Sequence, residues 1–187
     1  MTKGMIKDAL LELLQSTSYE KITVTALCRQ AEITRATFYL HYQNIDDVLN
    51  ELLDDALRLT ELDTLHSMNF AVLNRSIENE KDLKESSDDP DALLPACQRA
   101  ASNPKYRILF LDESLSHRIL NKLYQLQKPH RIPEIMRDYR VTEWEAEKLF
   151  LFMLHGNFAV NKSLSWNKNA DWYRVQEMIK NLIKPKH

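Results

Sequence analysis

Arg35, Thr37, Tyr39 and His41 stand in one short run, Thr34–Gln43, that offers a guanidinium, hydroxyls and an imidazole. Such groups donate to phosphate oxygens and to base edges in a DNA groove. If Phe38 and Tyr42 point into a core, then Ala36, Tyr39, Leu40 and Gln43 point away from it, with Thr37 and His41 on the flanks. Arg35 then sits at the N-terminal tip, where a recognition helix meets bases. One tyrosine or histidine on such a helix would be an ordinary solvated side chain. Caps, core spacing and outward polar groups together favour DNA reading.

The elements that position this run are written in its neighbours. Thr23 is placed as an N-cap, with Ile22 before it and Leu27 four residues after it, the spacing of a hydrophobic staple. Val24, Leu27, Cys28 and Ala31 follow on one face. The grammar repeats with Thr34 as cap, Ile33 before it and Phe38 at the fourth helical position. Asn44 is a third cap, and Asp46 and Asp47 fall in the first turn, where they suit the helix dipole. Helices this short are unstable alone and must pack on the upstream stripe of Ile6, Leu10, Leu13 and Leu14. That is the helix-turn-helix plan.

Ile22-Thr23-Val24, Ala31, Ile33-Thr34 and above all Thr37-Phe38-Tyr39-Leu40-His41-Tyr42 resemble the DNA-binding domain of the TetR family of bacterial transcriptional regulators. The last run is similar to the family's Thr-(aromatic or Leu)-Tyr-x-His-(aromatic) signature. The resemblance implies an all-α chain with a three-helix DNA-binding domain over residues 1–45 and a helical regulatory domain over 46–187 that binds ligand and dimerises. It further implies that Thr25 contacts backbone or base, and that Thr34, Arg35 and Ala36 lie at the major-groove tip. Thr37, Tyr39 and His41 would contact phosphates and neighbouring bases, and Leu40 a thymine methyl or sugar. Two positions depart from the family pattern. Glu32 stands where the turn normally has glycine, at a cost on the order of 1 kcal/mol for a positive φ, so some remodelling of the turn is expected. Ile45, followed by Asp46 and Asp47, stands where a phosphate-binding lysine is usual. Both weaken the expected grip on phosphate.

The bulk numbers agree with helices. The chain has 187 residues, 44% of them hydrophobic, and two glycines. That suits one or two helical domains with a sizeable core. The net charge of −2, from 25 Lys+Arg and 27 Asp+Glu, excludes a generally basic nucleic-acid binder. Lys3, Lys7, Lys21, Arg29 and Arg35 are balanced in the head by Asp8, Glu12, Glu20, Glu32, Asp46 and Asp47. A modest affinity with a shallow salt slope is therefore expected. Cys28 and Cys97 lie in apolar helical contexts and read as buried thiols of a cytoplasmic protein. No signal peptide opens the chain, and its longest apolar run, Leu149–Leu154, is far too short to span a bilayer. No glycine-rich phosphate loop or metal-ligand spacing occurs, and His117, His130 and His155 are scattered, so neither enzyme activity, metal nor cofactor is expected.

Beyond the head, a fourth helix is expected from about Ile45 to Leu62, with Val48, Leu49, Leu52, Leu53, Ala56 and Leu59 on its apolar face. Another is expected near Thr64–Ile77, then a polar surface loop over Glu78–Asp91. Asp89-Pro90 and Asn103-Pro104 read as caps followed by proline at the first helical position, and Pro95 as a kink or restart. Pro129 and Pro133 are expected to end a helix near Ser114–Gln127. Thr142–Glu145 forms a capping box for a helix apolar nearly all round, which needs cover on every side.

Two helices in this last part supply the expected dimer seam. On the first lie Phe150, Met153, Gly156, Asn157 and Val160, with Leu164 after it; Gly156, Ala159 and Ser163 permit close approach. On the last, starting near Ala170, are Trp172, Val175, Ile179 and Leu182 at a 3- and 4-residue beat. Paired with their symmetry mates they would form a four-helix interface. In the family a cavity among the central helices binds a small inducer. Phe70, Cys97, Tyr106 and Phe110 are candidate lining residues here, as are Tyr124, Phe152 and His155, although a side chain of this kind at helical spacing is more often plain core than pocket. The expected function is thus a homodimeric, ligand-responsive repressor on a near-palindromic double-stranded operator. The other reading keeps the fold but makes the acidic head a protein-interaction module or coactivator with weak or no direct DNA binding.

Overall fold

The structure, a computed structural model, describes residues 1–67 and 96–183, and every regular element among them is helical. In order they are α1 (Thr2–Leu14), α2 (Val24–Gln30), α3 (Arg35–Tyr39), α4 (Ile45–Ser67), α5 (Ala96–Ser102), α6 (Arg107–Leu111), α7 (Ser116–Tyr139), α8 (Glu143–Ser163) and α9 (Ala170–Ile183). Short 3-10 turns occupy Tyr19–Lys21 and Glu113–Leu115. The expected all-α class, with a helix-turn-helix head and a helical body, is what the chain adopts.

In the head, α1 buries Ile6, Leu10 and Leu14 and packs against α2 and α4. The three caps hold as read. The Thr23 hydroxyl accepts from the Ala26 N–H at 3.2 Å and that of Thr34 from the Thr37 N–H at 3.1 Å. Asn44 accepts from the Asp47 N–H at 3.0 Å, and the Asp47 carboxylate accepts in return from Gln43 and Asn44 at 2.9 and 3.3 Å. Glu32 does take the left-handed conformation, with φ 53°, so the turn keeps its shape without glycine and is not remodelled. The N–H of Glu32 donates to the Arg29 carbonyl and that of Ile33 to the Cys28 carbonyl, a Schellman closure of α2.

Several expected boundaries move. α4 runs on to Ser67, so Thr64–Ser67 continue it instead of opening a new helix. The rest of that expected helix, the polar loop, Pro90 and Pro95 lie outside the described residues. Pro104 does not start a helix: Asn103 accepts from the Lys105 N–H at 3.0 Å, making a side-chain turn, and α6 begins only at Arg107. Pro129 and Pro133 do not end α7 but lie inside it. Each lacks the N–H that would bond the carbonyl four residues earlier. Both prolines are exposed, so the freed carbonyls of Gln125 and Pro129 lie on the wet side, where water can satisfy them. Ile119 and Leu123 before them, and Ile132 and Ile135 after, hold the helix on the core.

The capping box of α8 is present, with Thr142 and Glu145 exchanging bonds. α8 lies along α7, where the Phe150 ring stacks on Tyr124 at 5.6 Å. After α8 the chain turns through Ser165 and Trp166, both left-handed at φ 52° and 58°. Two such residues together cost on the order of 2 kcal/mol, and the surroundings hold them firmly. Trp166 packs edge-on to Phe110 and Phe158, and its indole N–H donates to the Phe110 carbonyl at 3.1 Å. The Arg107 guanidinium donates to the carbonyls of Ser165 and Trp166 and to the Asn167 side chain, and Gln98 donates to the Trp166 carbonyl. α9 is pinned by Trp172, whose buried indole N–H donates to Asn161 at 2.6 Å.

Candidate nucleic-acid interface

α3 is five residues long and could not hold itself. Phe38 fixes it from beneath, fully buried and in ring contact with Tyr39 and Tyr42. Tyr42, buried just after the helix, donates its hydroxyl to Glu51 of α4 at 2.8 Å. Burial and that bond push its phenol pKa upward, so it stays a donor. The anchors therefore lie on one side, and the opposite side is free for a partner.

On that free side Tyr39 is 50% exposed and Leu40 81%. Thr25, Thr34, Arg35, Ala36 and His41 are also exposed, and Thr37 is half-buried. The eight residues expected to meet DNA thus share the accessible surface of the helix-turn-helix. Arg35 lies along Tyr39, its guanidinium 5.9 Å from the ring centroid and donating to the hydroxyl at 3.4 Å. That contact raises the Arg35 pKa, keeping a charged fork at the tip of α3. The Thr34 and Thr37 hydroxyls are 2.9 Å apart, so the cap also orders a second hydroxyl for an outside acceptor.

The head's charges sort into two groups. Lys3 pairs with Glu51 and Lys7 with Asp55, so these cations are spent on α4. Lys21 and Arg29 are exposed and form no ion pair among the described residues. The acids after Asn44 are occupied too. Asp47 caps α4, and Asp46 accepts from the Tyr19 hydroxyl while pairing with Arg118 of α7 at 3.0 Å. Arg118 also lies 5.4 Å over the Tyr19 ring, and the Tyr19 N–H donates to Asp112 at 2.8 Å. Sequence reading missed this tie between head and body, because its members are far apart in the chain and each is an ordinary surface residue type.

The residues expected to line a ligand pocket differ in exposure among the described residues. Phe70 lies outside the described residues. Cys97, Tyr106 and Phe110 are buried, with Cys97 accepting from Asn161 at 3.8 Å and its thiol pKa pushed up to about 11 by burial. Tyr124 is used in its stack on Phe150 and a hydrogen bond to Glu147. Phe152 and His155 face outward, away from the others. Helix phase thus sends Phe152 and His155 to the surface and Cys97, Tyr106 and Phe110 inward.

The expected dimer seam is divided in a similar way. Phe150, Met153 and Trp172 are buried within one chain and are not available to a second copy. Asn157, Val160, Leu164, Val175 and Ile179 are half-buried, whereas Gly156 and Leu182 are exposed. The outer stripe of α8 is instead Trp144, Phe152, Gly156 and Ala159, with Phe152 64% exposed, and Met178 joins Leu182 on α9.

The head is a helix-turn-helix DNA-binding domain. A sequence model of the family described as bacterial regulatory proteins, tetR family, matches residues 6–52, from α1 into α4, so this segment is similar to that family's DNA-binding domain. Among solved structures, a chain titled "Dihydroxyacetone kinase operon activator DhaS" is similar at 19% identity and a TM-score of 0.39, over 97% of this chain and 93% of that one. No curated protein matches. Among the described residues no helix is long and apolar enough to cross a membrane, and no group of His, Cys, Asp or Glu could hold a metal ion.

Proposed function

We propose that the chain is a repressor that reads a near-palindromic operator as a homodimer and is released by a small-molecule effector. The observation that carries the DNA part is the two-sided α3, with Phe38 and Tyr42 sealed and Arg35, Tyr39, Leu40 and His41 turned out. Thr25, Thr34, Ala36 and Thr37 complete the proposed contact surface. The dimer part is supported by the exposed apolar stripe on α8 and α9. A two-fold axis there would present two heads to successive half-sites. Domain limits near residue 45 fit this division of labour, with α4 joining reader to body.

The competing view of the head as an acidic docking module draws on Glu32, Ile45, Asp46 and Asp47. Asp46 and Asp47 are engaged inside the chain, which leaves that view little free acid to work with. The test is a gel shift with DNA flanking the gene, beside sedimentation of the free protein. Specific retention lost in Tyr39→Ala and in Arg35→Ala supports the proposal. A clean dimer with no retention at low salt refutes its DNA part, and a monomer that Phe152→Glu leaves unchanged refutes its dimer part. With Lys21, Arg29 and Arg35 as free cations, the salt slope per protomer should stay near 3.

A further inference from the structure

A groove with a cavity volume of about 710 Å³ separates α4 from α7. That is within the range of small-molecule sites, about 300–1,000 Å³. Its wall on α4 comes from successive turns through Asn50, Asp54 and Arg58, and its wall on α7 from Arg118, Lys122 and Gln125. Three cations, Arg58, Arg118 and Lys122, face one carboxylate, Asp54. The chain as a whole carries −2, so this surplus is local. The remaining polar groups are mainly amides, which donate to oxygen as readily as they accept. The setting is unlike the aromatic pocket that the sequence suggested.

The cations are held at different strengths. Lys122 pairs with Asp54 at 2.8 Å, and Arg118 pairs with Asp46, just outside the groove, at 3.0 Å. Arg58 is exposed and has no ion-pair partner among the described residues. A ligand with two or more oxyanion groups can take Arg58 without displacing anything, and can then compete for Arg118 with bidentate geometry. Arg118 is the residue that holds Asp46 and covers Tyr19, so the groove is wired to the seat of the head.

We propose that this groove binds a small polyanion bearing carboxylate or phosphate oxygens, and that the bound anion draws Arg118 away from Asp46 and so loosens the head from the body. The site stands on its geometry, whereas its effect on DNA rests on the regulator reading above. A ligand moves such an equilibrium only through its different affinity for the two arrangements, and the Arg118 exchange supplies that difference.

The experiment is isothermal titration of the full chain, at fixed ionic strength, with citrate, with inorganic phosphate and with sorbitol as the uncharged control. Citrate should bind and sorbitol should not. Phosphate binding more tightly than citrate would identify a phosphoryl ligand; the reverse order would identify a carboxylate one. Arg58→Gln and Lys122→Gln, both surface changes that spare the core, should each weaken binding by roughly tenfold. Arg118→Gln should weaken it as much and should also abolish any anion effect on DNA retention. Failure of both anions to bind, or binding that Arg58→Gln and Lys122→Gln leave unchanged, overturns the site. Binding in the groove with unaltered DNA retention overturns the coupling. Anion binding by a chain that retains no specific DNA upholds the site and removes the regulator reading instead.

Discussion

Arg118 of α7 reaches Asp46 in the first turn of α4 at 3.0 Å, and with Asp112 it fixes Tyr19 from two sides. The head is therefore fastened to the body by polar contacts as well as by the apolar core that runs through both. The two ties should differ in strength. Arg118 and Asp46 are both substantially exposed, so Arg118→Gln should cost at most about 1 kcal/mol. Asp112 is half-buried and accepts from the N–H groups of Tyr19 and Ser114 at 2.8 and 2.9 Å and from the Ser114 hydroxyl at 2.6 Å. Asp112→Ala should cost about 2 kcal/mol in urea unfolding. Amide exchange at Tyr19 should rise sharply in that variant, and an unchanged rate would show that the bond does not persist in solution.

Neighbouring residues in α3 should respond in opposite ways. Phe38 is completely buried, and Phe38→Ala should cost about 3–5 kcal/mol. Tyr39→Ala should move the unfolding midpoint little while lowering DNA retention. Equal stability losses in the two would mean that α3 is not two-sided.

Glu32 holds φ 53° at the end of α2. Glu32→Gly removes the side-chain strain but adds freedom to the unfolded chain, for a net gain of roughly 0.5–1 kcal/mol. Glu32→Ala keeps the strain and should give no gain. Chemical denaturation of the three proteins decides this, and DNA retention should be the same in all.

The α7–α8 contact should weaken in acid. Lys128, donating at 2.8 Å, and the Tyr124 hydroxyl hold the Glu147 carboxyl down to about 2. Its folded pKa is below its unfolded value near 4.5, so the stabilisation is full above that pH and disappears as pH falls towards 2. Glu147→Gln should melt below the parent at neutral pH and converge with it in that window. Because the group is well solvated, the difference should be small and reduced by salt.

Asn161 is fully buried and bridges two helices, donating to Cys97 of α5 and accepting from Trp172 of α9. Asn161→Leu would leave the Trp172 N–H unpaired in the core, at about 1–3 kcal/mol. α9 should lose exchange protection before the rest of the body, with a red shift in tryptophan emission. Uniform loss across the body would mean that α9 is held by other contacts.

Much of the head could be read in advance because its signals are local. Thr23, Thr34 and Asn44 each cap within a few residues, and the Phe38–Tyr42 spacing fixes which side of α3 is wet. The body was less legible because its decisions are long-range. The prolines of α7 read as breaks, since nothing nearby reveals that Ile132 and Ile135 reattach the helix to the core beyond them. Phe150 and Phe152 are indistinguishable by type, and only the phase of α8 sends one inward and the other out. The groove between α4 and α7 was invisible for the same reason: Arg58 and Arg118 meet through the fold alone.

The left-handed pair Ser165–Trp166 bears on where this protein can be cut. Arg107 and Gln98, from two earlier helices, grasp this corner, and Trp166 fills the space between Phe110 and Phe158. A stop codon placed ahead of Trp166 would not trim a dispensable tail; it would pull the stopper from the body and leave aromatic walls open to water. One placed after Asn169 would keep that stopper but take away Trp172, the partner of buried Asn161, so its damage should centre on the α8–α9 contact.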